Sequence, residues 1–165
     1  MSRRVWIGVG LAIVLAGAWL VFRPELLFLN RTVSEEFPST APSGTAESQS
    51  PQKLLSGQFK GYAHDTDGMA TIYETDNKRI LRLTNFRTSN GPDVHVYLVA
   101  APNVQDDATV KTAGFVDLGS MKGNVGDQNY DVPGTLDLRK YRAVTIWCKR
   151  FSINFGTAPL VPANE

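Results

Sequence analysis

The chain has 165 residues, and its 17 lysines and arginines against 16 aspartates and glutamates leave a formal net charge of +1. That balance removes the electrostatic drive toward nucleic acid or an anionic membrane surface, and the length allows one ordinary core plus appendages. Cys148 is the single cysteine, which excludes an intrachain disulfide and leaves the fold resting on packing.

Arg3 and Arg4 precede Val5 to Phe22, an uncharged apolar run. As a helix at about 1.5 Å per residue it covers about 27 Å, close to the roughly 30 Å hydrocarbon core of a bilayer. The arginines favour a cytoplasmic amino terminus, so the expectation is a single-pass anchor with the body extracytoplasmic. Ala16-Gly17-Ala18 also offers a small-residue cleavage site, which would make this a signal segment and the product an exported soluble protein. Paired arginines occur in twin-arginine export signals as well. Apolar residues continue through Trp19 to Phe22 and again over Leu26 to Leu29, which favours the uncleaved anchor for residues 1–30. Residues 31–53 are rich in Ser, Thr, Pro, Ala and Glu. Such a stretch buries too little apolar surface to offset its ordering entropy, so a flexible linker is expected there.

Residues 54–162 read as the folded domain, all-β. Thr71 to Tyr73 and Ile80 to Leu83 flank Thr75-Asp76-Asn77-Lys78, a hairpin signal. Val94 to Val99, Phe115 to Leu118 and Asn129 to Val132 are strand-like runs beside turn residues such as Asn90-Gly91-Pro92, Gly119 and Pro133-Gly134. Roughly seven or eight short strands and no long helical pattern predict a β-sandwich or a barrel-like closure of two sheets. Over residues 143–156, Val144, Ile146 and Cys148 share one parity and Phe151, Ile153 and Phe155 the other, with Trp147 opposite Cys148. The inward face therefore switches across Lys149-Arg150, where a bulge or bend is expected.

Cys148 has two readings. Free cysteine commonly fills cores as a small hydrophobe, yet exported proteins usually pair or avoid cysteines, and Lys149 and Arg150 stand ready to stabilise a thiolate. His64, His95, Met69 and Met121 complete a copper-like donor set only in composition, because no histidine follows Cys148 in the chain, so no metal site is assigned. His95 reads as a sheet histidine. Asp65-Thr66-Asp67-Gly68 lacks the later carboxylates of a calcium loop and reads as a hairpin turn. Gly119 to Gly126 lacks the order of a phosphate-binding loop and reads as a mobile loop. No activated-serine motif supports hydrolysis.

Gly57, Phe59 and Gly61, then Leu83-Thr84-Asn85-Phe86, Asn90-Gly91-Pro92-Asp93 with Val96-Tyr97-Leu98, Leu118-Gly119 with Lys122-Gly123, Gly126 to Tyr130, Val144 with Ile146-Trp147-Cys148, and Phe155-Gly156 with Ala158 and Leu160 follow in order. This series resembles the DM-thirteen domain family, the electron-transfer domain also found in Skeletor-type proteins, over residues 54 to 161. The resemblance implies a small extracytoplasmic β domain whose signature cysteine, here Cys148, acts in redox or electron transfer. Haem-binding DOMON modules accompany the domain in animal relatives, and this chain has no such neighbour, which leaves its electron partner and any cofactor unidentified. The leading expectation is a membrane-anchored domain in which Cys148 is redox-active, Trp147 relays an electron and an unidentified partner protein is the redox counterpart. A lone thiol cannot close its own disulfide, so such a partner, or a sulfenic step, is required. The alternative is a non-catalytic binding or scaffold module with a buried structural cysteine and recognition loops at Ala101 to Ala113 and Gly119 to Asn129. Asp93 is either a turn former or a polar residue near the thiol.

Overall fold

Short runs of alternating apolar residues bury one face each, and in this chain they assemble two facing antiparallel sheets. The computed structural model describes residues 3–22, 29–38, 50–75 and 78–163. The order is α1 (Arg3–Phe22), β1 (Gln52–Gln58), β2 (Lys60–Gly61), β3 (Asp67–Thr75), β4 (Lys78–Arg87), β5 (Val94–Val99), α2 (Asp107–Ala113), β6 (Phe115–Ser120), β7 (Gln128–Val132), β8 (Ala143–Cys148), β9 (Ile153–Pro159) and β10 (Val161–Pro162). The first sheet runs β10-β1-β3-β4-β7 and the second β2-β9-β8-β5-β6. This is the all-β sandwich behind an apolar helix that the sequence predicts. Among the described residues α1 is the one helix long and apolar enough to cross a membrane.

Between the sheets, Ile72, Leu81, Leu83 and Phe86 from the first meet Val96, Leu98, Val144, Ile146 and Phe155 from the second. Each such side chain, fully buried, is worth about 1.5–3 kcal/mol over leaving it in water, so this contact dominates the stability of the domain. A second cluster lies on the outer face of the second sheet, where Val110 of α2 with Ala101 and Val104 covers Tyr97, Val99, Ala143 and Trp147.

Three local expectations about turns and loops change in the structure. Residues 143–156 do not bend at Lys149-Arg150 but reverse there: Cys148 pairs with Ile153 across the turn Lys149 to Ser152, and β8 and β9 form a hairpin. The parity switch reflects that reversal together with a bulge on β9, since Ile146 pairs with Gly156 but Trp147 with Asn154, leaving Phe155 as the extra residue. Residues 101–113 are not all loop, because Asp107–Ala113 is helical, started by Asp106, whose carboxylate accepts from Thr109 N at 2.7 Å. Its apolar residues pack on Trp147, an outer contact that strand periodicity does not show. Asp65 to Gly68 is no hairpin turn; it carries the chain from β2 in the second sheet to β3 in the first. The hairpin between β3 and β4 does form, with Thr75 opposite Lys78, and its turn residues Asp76 and Asn77 lie outside the described residues.

The expected linker, 31–53, divides. Residues 31–38 lie extended on the domain as a strap, while 39–49 fall outside the described residues. Val33 N donates to Val125 O at 2.9 Å and Glu35 N to Asp127 O at 3.0 Å. Arg82 donates to Glu35 O at 3.1 Å, and Lys122 Nζ meets the Glu35 carboxylate at 2.8 Å. Half-exposed ion pairs of that kind contribute only about 0.2–1 kcal/mol, so the backbone bonds and close fit matter more. A Cβ on Gly126 would stand 2.0 Å from Val33 O and one on Gly123 2.4 Å from Arg31 O. Glycine at these positions lets the strap touch the backbone beneath it. The segment around them is pinned too: buried Gln128 accepts from Lys122 N at 3.1 Å and donates to Gly123 O at 2.8 Å, so it is not a mobile loop.

Gly126 also has φ +101°, a conformation that costs a side-chain-bearing residue about 1–3 kcal/mol. Gly126→Ala is expected to lower stability by about that amount in urea unfolding and to expose residues 29–38 to limited proteolysis. A variant as stable and as protected as the parent would show that the strap is not seated on this glycine.

Candidate functional site

Cys148 is the last residue of β8, with Val94 of β5 and Ile153 of β9 as register partners. It faces the inter-sheet core with Val144 and Ile146, and its exposure is 0%. It presents no surface to solvent in the closed sandwich. Trp147, one residue earlier, points to the opposite face, as the parity of the strand requires.

There the Trp147 indole lies over Tyr97 with ring centres 6.2 Å apart and planes 24° apart. Tyr97 stacks in turn on Phe115 at 4.2 Å and 6°. The row runs across β8, β5 and β6 and reaches solvent at Phe115, which is 44% exposed. Offset stacking of this sort is favourable beyond the area it buries. Lys111 of α2 holds its ammonium 5.9 Å from the Trp147 ring centre, a cation–π contact at one end of the row. The β9 bulge frees Asn154 N from the ladder, and Asp107 of α2 takes that bond at 2.7 Å. Bulge and helix thus hold each other and, through the packing of Val110, the indole.

Alongside the row sits a polar cluster, with His95 opposite Trp147 and Asp117 opposite Tyr97 in register. His95 Nε2 lies 3.1 Å from Asp93 Oδ1 and His95 Nδ1 lies 2.9 Å from Asp117 Oδ1. Lys149 Nζ is 3.5 Å from Asp117 Oδ2, and Ser120 Oγ is 3.4 Å from His95 Nε2. Burial pushes the Asp117 carboxyl up, but the hydrogen bonds from His95, Gly119 N–H and Lys149 outweigh it and hold the group below the usual carboxylate range. Burial first, then the charges of Asp117 and Asp93, push the Tyr97 phenol up to about 12.

Of the three residues expected from sequence, Trp147 and Asp93 share the outer face, and Cys148 lies behind the sheet. Asp93 serves in the turn, accepting from Lys149 N at 2.8 Å through its carbonyl, while its side chain engages His95. It is not directed at the thiol. Sequence reasoning read His95 as a sheet histidine, which it is, but did not join it to Asp93; it pairs with Trp147 in register. The Asp93-x-His95 spacing carries the needed signal, since residues two apart share a strand face; Asp117 comes from β6 and only the pairing of β5 with β6 brings it in. His64 packs on Phe155 at 3.9 Å, far from any shared donor set. Among the described residues no three His, Cys, Asp or Glu side chains converge to hold a metal ion.

A family model described as Electron transfer DM13 matches residues 58–160. No curated protein and no solved structure matches the chain.

The raised Tyr97 value has a consequence for stability at alkaline pH. The phenol ionises near 10 when unfolded and near 12 when folded, so its contribution is fully present below pH 10 and is lost as pH rises through 12. Tyr130, pushed up to about 12 mainly by burial, acts in the same direction. Urea midpoints measured from pH 10 to 12 should fall, and Tyr97→Phe should reduce the fall. An unchanged slope in that variant would mean the phenol is not held in the environment described.

Proposed function

The chain belongs to the electron transfer DM13 family, and we propose that it works in electron transfer as a membrane-anchored extracytoplasmic module whose working surface is the outer face of the second sheet. The anchor rests on α1 and on Arg3 and Arg4 at its start, which favour a cytoplasmic amino terminus. The observation that carries the reading is the aromatic row Trp147, Tyr97, Phe115, continuous from the strand of the buried thiol to the surface. What crosses this face is an electron. A one-electron acceptor protein docked at Phe115 withdraws it from the row and a one-electron donor protein restores it; while Tyr97 carries the hole its phenolic proton passes to bulk water, and it returns on reduction, so electrons and protons both balance.

The field along the row has a direction. Lys111 disfavours a positive hole on Trp147, whereas Asp93 and Asp117 favour one at the Tyr97 end. Cys148 enters differently from the sequence expectation. Disulfide exchange needs a thiolate in contact with another sulfur, and the closed core forbids that contact. One-electron oxidation of the thiol would release a proton among Val94, Ile146 and Phe155, which supply no base. We therefore assign the relay to Trp147 and core packing to Cys148. The burial of Cys148 equally favours a second reading, a non-catalytic protein-binding module.

Flash photo-oxidation separates these roles. In the full chain with Trp6 and Trp19 replaced by phenylalanine, Trp147 is the single indole. A ruthenium photo-oxidant should generate a Trp147 radical that decays into a tyrosyl signal, and Tyr97→Phe should prolong the indole radical severalfold. Cys148→Ala should lower stability by about 1–2 kcal/mol and leave these kinetics unchanged. Radical transfer that disappears with Cys148 would make the thiol the redox group, and the absence of any Trp147 radical would leave the binding module as the reading.

A further inference from the structure

We infer that the domain is held with one particular pole on the lipid surface, namely the end carrying Leu29, the Asn90-Gly91-Pro92 turn and the β8–β9 turn at Phe151, and that the partner at this pole is the phospholipid bilayer itself. The inference rests on α1 being the membrane anchor of the proposed function.

Chain reach supplies the first argument. A flexible linker over 31–53 would let the body roam, but the strap fixes residues 29–38 to the domain. Asn124 Nδ2 donates to Asn30 Oδ1 at 2.9 Å, Asn124 Oδ1 accepts from Arg31 N at 2.7 Å, and Asn90 donates to Leu29 O. Only the stretch from Phe22 to Leu29 therefore separates α1 from the strap. Those 29 − 22 steps span at most about 25 Å at about 3.6 Å per residue, whatever their conformation. β4, with 10 residues, runs from the far pole to the near one and measures about 33 Å at about 3.3 Å per residue. The reach is shorter than the domain, so the far pole, where Thr135 follows β7, points away.

The second argument is what the near pole displays. Leu29 is 61% and Phe151 57% exposed, both large apolar residues at tips. Phe151 is flanked by the exposed Lys149 and Arg150, an aromatic side chain beside cations, the composition that settles at the headgroup level. The turns are contiguous: Lys149 N donates to Asp93 O at 2.8 Å and Gly91 packs under Phe155 and Val94. Asp65 and Asp93 lie at the same pole, so the attraction is one of tether and apolar contact rather than of net charge, and neutral lipid suffices.

The test uses the full chain reconstituted in phosphatidylcholine vesicles. In a Cys148→Ala background, a fluorophore is placed at Arg150→Cys or, for comparison, at Thr135→Cys, and quenching by lipids spin-labelled near the headgroup is measured. The label at 150 should be quenched several times more strongly than that at 135, at low and at high salt, and Phe151→Asp or a long Gly-Ser insertion between Phe22 and Leu29 should reduce the difference. A chain that alkaline carbonate strips from the vesicles would overturn the anchored reading and this one with it. Resistance to carbonate with equal quenching at the two labels would overturn the orientation alone.

Discussion

The rest of the structure depends on β8 being buried on both faces. All six of its residues are buried, with Val144, Ile146 and Cys148 pressed into the inter-sheet core and Ala143 and Trp147 under α2. A strand in that position cannot carry a solvent-facing nucleophile on either side. It can carry a small side chain where the core narrows and an aromatic ring where the outer face needs cover. The role of Cys148 follows from that placement more than from the chemistry of sulfur, and the role of Trp147 follows from the helix that covers it.

The same constraint organises the outer face. Because α2 must pack on Trp147, its Asp107 is brought to the bulged amide of Asn154 and its Lys111 to the indole. β5 lies beside β8, so His95 and Tyr97 fall next to Trp147 on that face, and β6 adds Asp117 and Phe115. Charges of both signs thus border the aromatic row, Lys111 with Asp107 on the helix side and Asp93 and Asp117 with Lys149 around His95. The strap is a separate device: it uses close approach to Gly123 and Gly126, and it orders residues 31–38 of the expected linker against the body.

The layered β architecture was legible in the alternation of short apolar runs, as were the β3–β4 hairpin, β5 and the opposite faces of Cys148 and Trp147. Each of these depends on local periodicity. What escaped was non-local. Residues 31–38 are polar by composition, and their order comes from partners such as Asn124, Asp127 and Lys122 that lie far along the chain. A short helix such as α2 has too few turns for its pattern to stand out. The reversal after Cys148 was hidden because Lys-Arg-Phe-Ser contains no glycine or proline, and Ser152 itself takes the positive φ of 55° that the turn requires. Asp117 joins Asp93 and His95 only through strand pairing, so no spacing announced the cluster.

The central claim is that Cys148 is sealed behind the sheet while electrons move on the face in front of it. The most direct measurement is the rate at which a small thiol reagent modifies Cys148 in the folded full chain, compared with the same chain in denaturant. The account predicts no modification on the timescale of folded-state labelling and prompt modification once the sandwich opens. Rapid modification of the folded protein would contradict it, placing an accessible thiol at the end of β8 and making Cys148 the reactive centre.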